Sequence, residues 1–192
     1  MKIRHEIRHA LLCLLVVCSG MSFGQKKDKT VEVYPMPVSE QTRKITYQDV
    51  VSMKDAKPAE LYDRAYAWAQ KFFQNPTKVI RTADKENGVL LCSSNLKIHT
   101  PTKDGKSEVM AGIVNFELRI EARDGRYRYT LTDFVCKNGA VTQPCEQWLD
   151  QSKAEWTPVR NGHLKEVDTY IQTLIRSLEE GMEPKEEVKD EW

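Results

Sequence analysis

The residue types able to do covalent or acid–base chemistry are few in this 192-residue chain. Cys92, Cys136 and Cys145 could supply a thiolate, a metal ligand or a disulfide. His99 and His163 could shuttle protons, and Glu117, Glu121, Asp124 and Asp133 could furnish a general acid and base. Spacing narrows these options. Cys136 and Cys145 flank Lys137-Asn138-Gly139, so the sequence admits a disulfide that closes a short loop, worth roughly 2.5 to 3 kcal/mol in the chain-entropy model. Neither cysteine has the close Cys/His company of a structural zinc site, and no metal is expected. Cys92 shares an alternating face with Leu90, Leu96 and Ile98 and is expected to be a small buried side chain rather than a reactive thiol. His99 and His163 stand far apart in sequence, each near a loop, as surface or capping residues do.

The carboxylates fit a wet strand face. Glu117 and Glu121 alternate with Arg119 and Arg123, a pattern that supports cross-strand pairing. Asp133 departs from it, because the phase of Tyr127, Tyr129 and Leu131 turns position 133 inward. Either a bulge resets the phase there or a buried carboxylate has a partner. No Gly-x-Ser-x-Gly elbow, His-Glu-x-x-His pair or Gly-rich phosphate loop occurs, so no catalytic residue and no cofactor are expected. The aromatic residues are the remaining candidates. Tyr62, Tyr66, Trp148 and Trp156 lie outside the clearest apolar stripes; most such rings are expected in the core or at its margin, and any that stay exposed in one patch would form an interaction surface.

The elements that must position these residues follow from periodicity. Residues 43–52 mix β-branched and aromatic side chains in a rough alternation and predict a first strand. Pro58 opens a helix whose stripe runs through Leu61, Ala65, Trp68 or Ala69, and Phe72. After Asn75-Pro76 the period changes to two: residues 78–83 and 89–98 read as strands joined at Glu86-Asn87-Gly88. Phe116, Leu118, Ile120 and Ala122 alternate with polar neighbours in a strand over 112–123, and Asp124-Gly125 turns it into a partner over 127–135. Residues 136–161 are irregular, with a short helix expected around 145–153. A second helix is expected after Gly162, striped by Leu164, Val167, Ile171, Leu174 or Ile175, and Leu178. The order β-α-β-β-β-β-α predicts an α+β fold, a curved antiparallel sheet of about five strands with two helices packed on one face.

Four segments frame that fold. Lys2, Arg4 and Arg8 precede an apolar run and the small residues Ser22 and Gly24, which predicts an export signal over residues 1–24 and a mature start at Gln25. Cys18 offers an acylated start instead, although Val17 before it is bulkier than lipoprotein cleavage prefers. Residues 25–39 read as a polar leader, 40–180 as one α+β domain and 181–192 as an acidic tail, with Gly181 and Pro184 breaking the helix. The apolar run is too short for a membrane span, which takes about 20 residues. The chain has 29 Lys+Arg and 28 Asp+Glu, and loss of residues 1–24 leaves a net charge near −1. That balance gives no electrostatic case for nucleic acid.

Three stretches resemble a known family: residues 44–51 (KITYQDVV), residues 59–73 (AELYDRAYAWAQKFF), and Arg123-Asp124-Gly125-Arg126-Tyr127-Arg128-Tyr129 leading to Asp133-Phe134. They are similar to an uncharacterised exported domain of Bacteroidetes, a domain of unknown function with a TBP-like fold, over roughly residues 40–135. The resemblance implies the curved sheet with helices on one side and implies no reaction. TBP-like describes topology, and the DNA-reading face of TBP is not expected in a near-neutral exported chain.

The expected function is therefore a non-catalytic exported binding or protein-interaction domain, acting through the open sheet face or the aromatic segment around Trp148 and Trp156. The alternative is a carrier holding a small hydrophobic ligand between sheet and helix. A further alternative, an enzyme of unrecognised class, requires Asp133, Arg128 and His99 to converge in a cleft. The export reading predicts that the processed chain recovered outside the cytoplasm begins at Gln25. An intact mass that retains residues 1–24, or adds a lipid to Cys18, overturns it.

Overall fold

Alternation of apolar and polar side chains over long strands gives this chain its sheet. The computed structural model describes residues 32–154 and 156–184; the expected export signal, Cys18, the start of the leader and the last eight residues of the tail lie outside them. In chain order the elements are β1 (Tyr47–Ser52), α1 (Pro58–Phe72), the single-turn α2 (Pro76–Val79), β2 (Ile80–Asp84) and β3 (Val89–Pro101). β4 (Glu108–Arg123), β5 (Arg126–Asn138), β6 (Val141–Pro144), a 3-10 turn (Cys145–Leu149) and α3 (Pro158–Met182) follow. All strand pairs are antiparallel in the order β1-β5-β4-β3-β2, and β6 joins the far end of β5. The expected α+β class and one-sided helix layer hold, in an open curved sheet of six strands rather than five. β6 escaped the periodicity because its four residues, Val-Thr-Gln-Pro, show no alternation long enough to detect.

The inner face of the sheet carries Leu90, Cys92, Leu96 and Ile98 from β3, Val114, Phe116, Leu118, Ile120 and Ala122 from β4, and Tyr127, Tyr129 and Leu131 from β5. Both helices lay their apolar stripes on it: Leu61, Ala65 and Ala69 from α1, and Leu164, Val167, Ile171, Leu174 and Leu178 from α3. Each leucine or isoleucine so buried contributes about 1.5 to 3 kcal/mol, which is why the period-two and period-3.6 patterns dominate the fold.

Asp133 settles the phase question as a bulge. Asn115 pairs with Val135 and Glu117 with Thr132, so two residues of β5 oppose Phe116 alone. Asp133 takes the left-handed conformation, φ +58°, and its carboxylate turns outward to an ion pair with Lys44. The insertion switches the inward set from odd to even positions, so Phe134 and Cys136 are buried where unbroken alternation would expose them. Phe134 then stacks on Phe116 with ring centroids 6.0 Å apart.

Two boundaries differ from the sequence reading. The leader is not separate from the fold: Tyr34 Oη and Tyr47 Oη both donate to the Asp168 carboxylate at 2.8 Å. Asn161 also receives the Tyr34 N–H at 2.9 Å and donates to the Glu32 carbonyl at 2.7 Å. The described leader thus straps along α3. That helix starts at Pro158, before Gly162, and continues through Gly181 to Met182. Gly181 is tolerated because Trp68 packs flush against it: a Cβ there would lie 2.6 Å from Trp68 Cδ1 and 3.0 Å from its Cβ. The loss of helix propensity, about 1 kcal/mol, is offset by close approach of the two helices.

The bulge yields a stability prediction. Asp133→Gly is expected to hold urea-denaturation stability within about 1 kcal/mol, since glycine accepts the left-handed conformation and an exposed ion pair contributes little. Asp133→Val should lose about 1 to 2 kcal/mol or more by forcing a β-branched residue into that region. Equal losses in the two variants would show that the ion pair, rather than backbone conformation, fixes the bulge.

Candidate functional site

The polar side chains able to do chemistry are drawn into pairs, and the pairs lie apart. At the N-terminal end of α3, His99 Nδ1 lies 2.7 Å from Glu166 Oε1, and the His99 backbone N–H donates to Glu166 Oε2 at 2.8 Å. One carboxylate thus ties the end of β3 to α3. Next to it His163, 3% exposed, has Nε2 at 2.9 Å from Thr100 Oγ1 and Nδ1 at 3.3 Å from an Arg160 guanidinium nitrogen. A guanidinium can only donate, so Nδ1 accepts and the ring proton sits on Nε2, facing Thr100. His163 therefore donates to the threonine hydroxyl and cannot take its proton, and the pair is a lock between strand and helix. Burial first, then the charge of Arg160, holds His163 below its ordinary pKa. Arg160 also lies 4.6 Å above the Trp148 ring.

The three groups an enzyme would need do not meet. Asp133 pairs with Lys44, Arg128 donates Nε to Glu121 at 2.9 Å, and His99 pairs with Glu166. The thiols are out of range as well: burial pushes Cys92 up to about 12 and raises Cys136 and Cys145. Cys136 and Cys145 are free thiols, so the disulfide that their spacing admits is not formed. Backbone pairing closes their loop instead, with Cys136 opposite Gln143 and Asn138 opposite Val141 in the β5–β6 hairpin. Among the described residues no group of three or more His, Cys, Asp or Glu side chains could hold a metal ion.

The expected aromatic surface is also corrected. Trp148 is 0% exposed beneath Arg160, and Tyr62 is 5% exposed in a stack with Tyr66. Both rings are core residues, because the 3-10 turn and α1 press them onto the sheet. Tyr66 and Trp156 remain half-buried, the one on α1 and the other before the first turn of α3, so the four do not form one patch.

An opening of another kind lies on the helix layer. Between α1 and the C-terminal end of α3 runs a groove of about 1060 Å³. Trp68 and Phe72, stacked with centroids 5.1 Å apart, form its floor beside Gly181. Trp68 is fixed by its Nε1 donating to Ser177 Oγ at 3.1 Å, and Arg64 by a 2.8 Å bond to the Met182 carbonyl and an ion pair with Glu60. Lys57 and Lys71 line the α1 side and Glu180 and Glu183 the α3 side, none of the four in an ion pair among the described residues. The sequence marked Trp68 and Phe72 as an apolar stripe. That the stripe stays partly open depends on how far α3 overlaps α1, which no local pattern encodes.

The described residues thus make a small α+β domain of antiparallel sheet and one helix layer, its polar groups used to join the layers. A family described as a domain of unknown function (DUF4468) with TBP-like fold matches residues 47–137. Residues 47–137 are thus similar to the DUF4468 family, and the fold is TBP-like. A crystal structure of a TBP-like protein from Parabacteroides distasonis is similar at 18% identity and TM-score 0.53, covering 76% of this chain and 97% of that one. A DUF4468 family protein from Bacteroides ovatus is similar at 15% identity and TM-score 0.57, covering 80% and 96%. Those likenesses establish the fold. No curated protein matches the chain, and no helix among the described residues is long and apolar enough to cross a membrane.

The buried His163 makes stability depend on pH. Unfolded chain takes up a proton near the ordinary value of 6.5, and the folded chain does so only at lower pH. Its contribution is therefore complete above that value and lost as pH falls through and below it. Melting temperature should drop between about pH 7 and pH 5, above the range where carboxylates titrate, and the drop should shrink in His163→Gln. Parallel profiles for the two proteins would remove His163 as the cause.

Proposed function

We propose that this chain is an exported, non-catalytic interaction domain whose groove between α1 and α3 receives an amphipathic helix of a partner protein. The carrying observation is a surface groove floored by the largely buried Trp68 and the half-buried Phe72, with Lys57 and Lys71 on one side and Glu180 and Glu183 on the other, none of these four in an ion pair among the described residues. Aromatic rings at the bottom of a groove supply contact area at low entropic cost. A third helix laid between two others meets them at about 8 to 10 Å. Charge sets its orientation: acidic residues beside Lys57 and Lys71, basic residues beside Glu180 and Glu183. Export rests on the pattern of residues 1–24. The carrier reading gains no support, since the cavities described open at the surface rather than between sheet and helices.

The test uses a synthetic helix of 15 residues, the span of α1, with a leucine stripe flanked by glutamates on one side and lysines on the other. A second peptide carries the two flanks exchanged, and binding to the processed chain is measured by calorimetry. The matched peptide is expected to bind about tenfold more tightly, a difference of about 1.4 kcal/mol, and Ala67→Arg in the groove should abolish the difference. Equal affinity for both peptides, or no binding by either, refutes the groove as a helix-docking site.

A further inference from the structure

The outer face of the sheet, which no helix covers, carries a charge arrangement that folding does not call for. β4 and β5 meet there at the Asp124-Gly125 turn, and Arg123 pairs directly with Arg126 across the strands. Like charges placed opposite each other destabilise a sheet. Neither guanidinium has an ion pair among the described residues. One rung further, Arg128 opposes Glu121, and that one carboxylate also faces Arg119 with Nε at 3.7 Å. Burial works against the charge of Glu121, yet Arg128, and then Arg119 and Arg123, hold its pKa below the ordinary value. Arg119, Arg123 and Arg128 thus share Glu121, with Asp124 in the turn the nearest other acid in sequence. Arg123, Arg126 and Arg128 ring a depression of about 250 Å³ together with Val50 and Glu121.

We propose that this arginine cluster at the β4–β5 hairpin binds an acidic polysaccharide, its guanidiniums engaging sulfate or carboxylate groups of successive sugars. Guanidinium groups form paired hydrogen bonds with such oxyanions. Along one strand, residues two apart stand about 7 Å from each other, and across strands about 5 Å, a spacing suited to sparsely charged polymers. Nucleic acid fits less well. Its single strands are held on aromatic platforms, whereas Tyr127 and Tyr129 face the core and the outer positions of this hairpin hold no ring. Its denser phosphates would also meet Glu117 and Glu121 within the same strand. The site is distinct from the helix groove, so the two readings stand or fall separately.

The probe is a heparin octasaccharide, titrated into the processed chain by calorimetry at several salt concentrations, with its desulfated, N-acetylated counterpart and a single-stranded oligodeoxynucleotide alongside. The sulfated sugar is expected to bind with an affinity that falls as salt rises. The double variant R123Q/R126Q should weaken it about tenfold or more and lower the salt slope by roughly one to two. K97Q/K137Q, which removes the same charge at the opposite end of the same face, should change affinity by less than about twofold, as a rim charge away from the contact would. Equal weakening by both variants, no binding of the sulfated sugar, or equal arginine-dependent binding of the oligonucleotide overturns the proposal. Melting temperature separates function from folding: R126Q should hold or raise it because a repulsion is removed, and a clear fall would mean the arginine is there for stability.

Discussion

The inserted residue at Asp133 is the constraint on which the rest of the sheet depends. A strand's side-chain period is two, so one extra residue exchanges the faces of everything after it. β5 carries Tyr127, Tyr129 and Leu131 inward before the bulge and Phe134 and Cys136 inward after it. The same bend divides its outer edge between two neighbours, β1 along residues 126–131 and β6 along 135–138. Without the reset, Phe134 would lose its stack on Phe116, and β6 would lead the 3-10 turn away from the core that Trp148 now fills. Lys44 holds the displaced carboxylate, which links the segment before β1 to the same point.

Polar chemistry in this molecule is spent on joining layers. Asp168 gathers two tyrosine hydroxyls from the leader and β1, Glu166 fixes His99, and His163 with Arg160 binds the end of β3 to the start of α3. Each group is satisfied by a neighbour on another element, as buried polar groups require. The open features are of a different nature: an aromatic-floored groove on the helix layer and an arginine-rich corner on the bare face of the sheet. Neither brings a base to a nucleophile.

Much of the architecture was legible because it is written in long periodic segments. β3, β4 and β5 alternate over many residues, and α1 begins at the proline that suggested it. What escaped has physical causes. The two resolutions of Asp133 share one sequence, and only pairing with β4 separates them. Gly162 and Gly181 looked like helix boundaries, although the first sits exposed within α3 and the second is favoured by Trp68 at its surface. Tyr34 looked like leader because its partner, Asp168, lies 134 residues away. The aromatic candidates failed for a related reason: residue type cannot tell a core ring such as Trp148 from one at an interface. The two open sites depend on which side chains neighbouring elements leave uncovered.

Glu166 has an effect beyond the joint it makes. β2 pairs with β3 only as far as Cys92, so among the described residues the rest of that margin has no strand beside it. An unpaired margin is a template for a stranger's backbone, the first step toward fibrils and exchanged dimers. By accepting the His99 amide, the carboxylate occupies a donor that such an intruder would need and sets a negative charge in its path. The side chain that anchors the long helix thereby also acts as a gatekeeper against self-assembly.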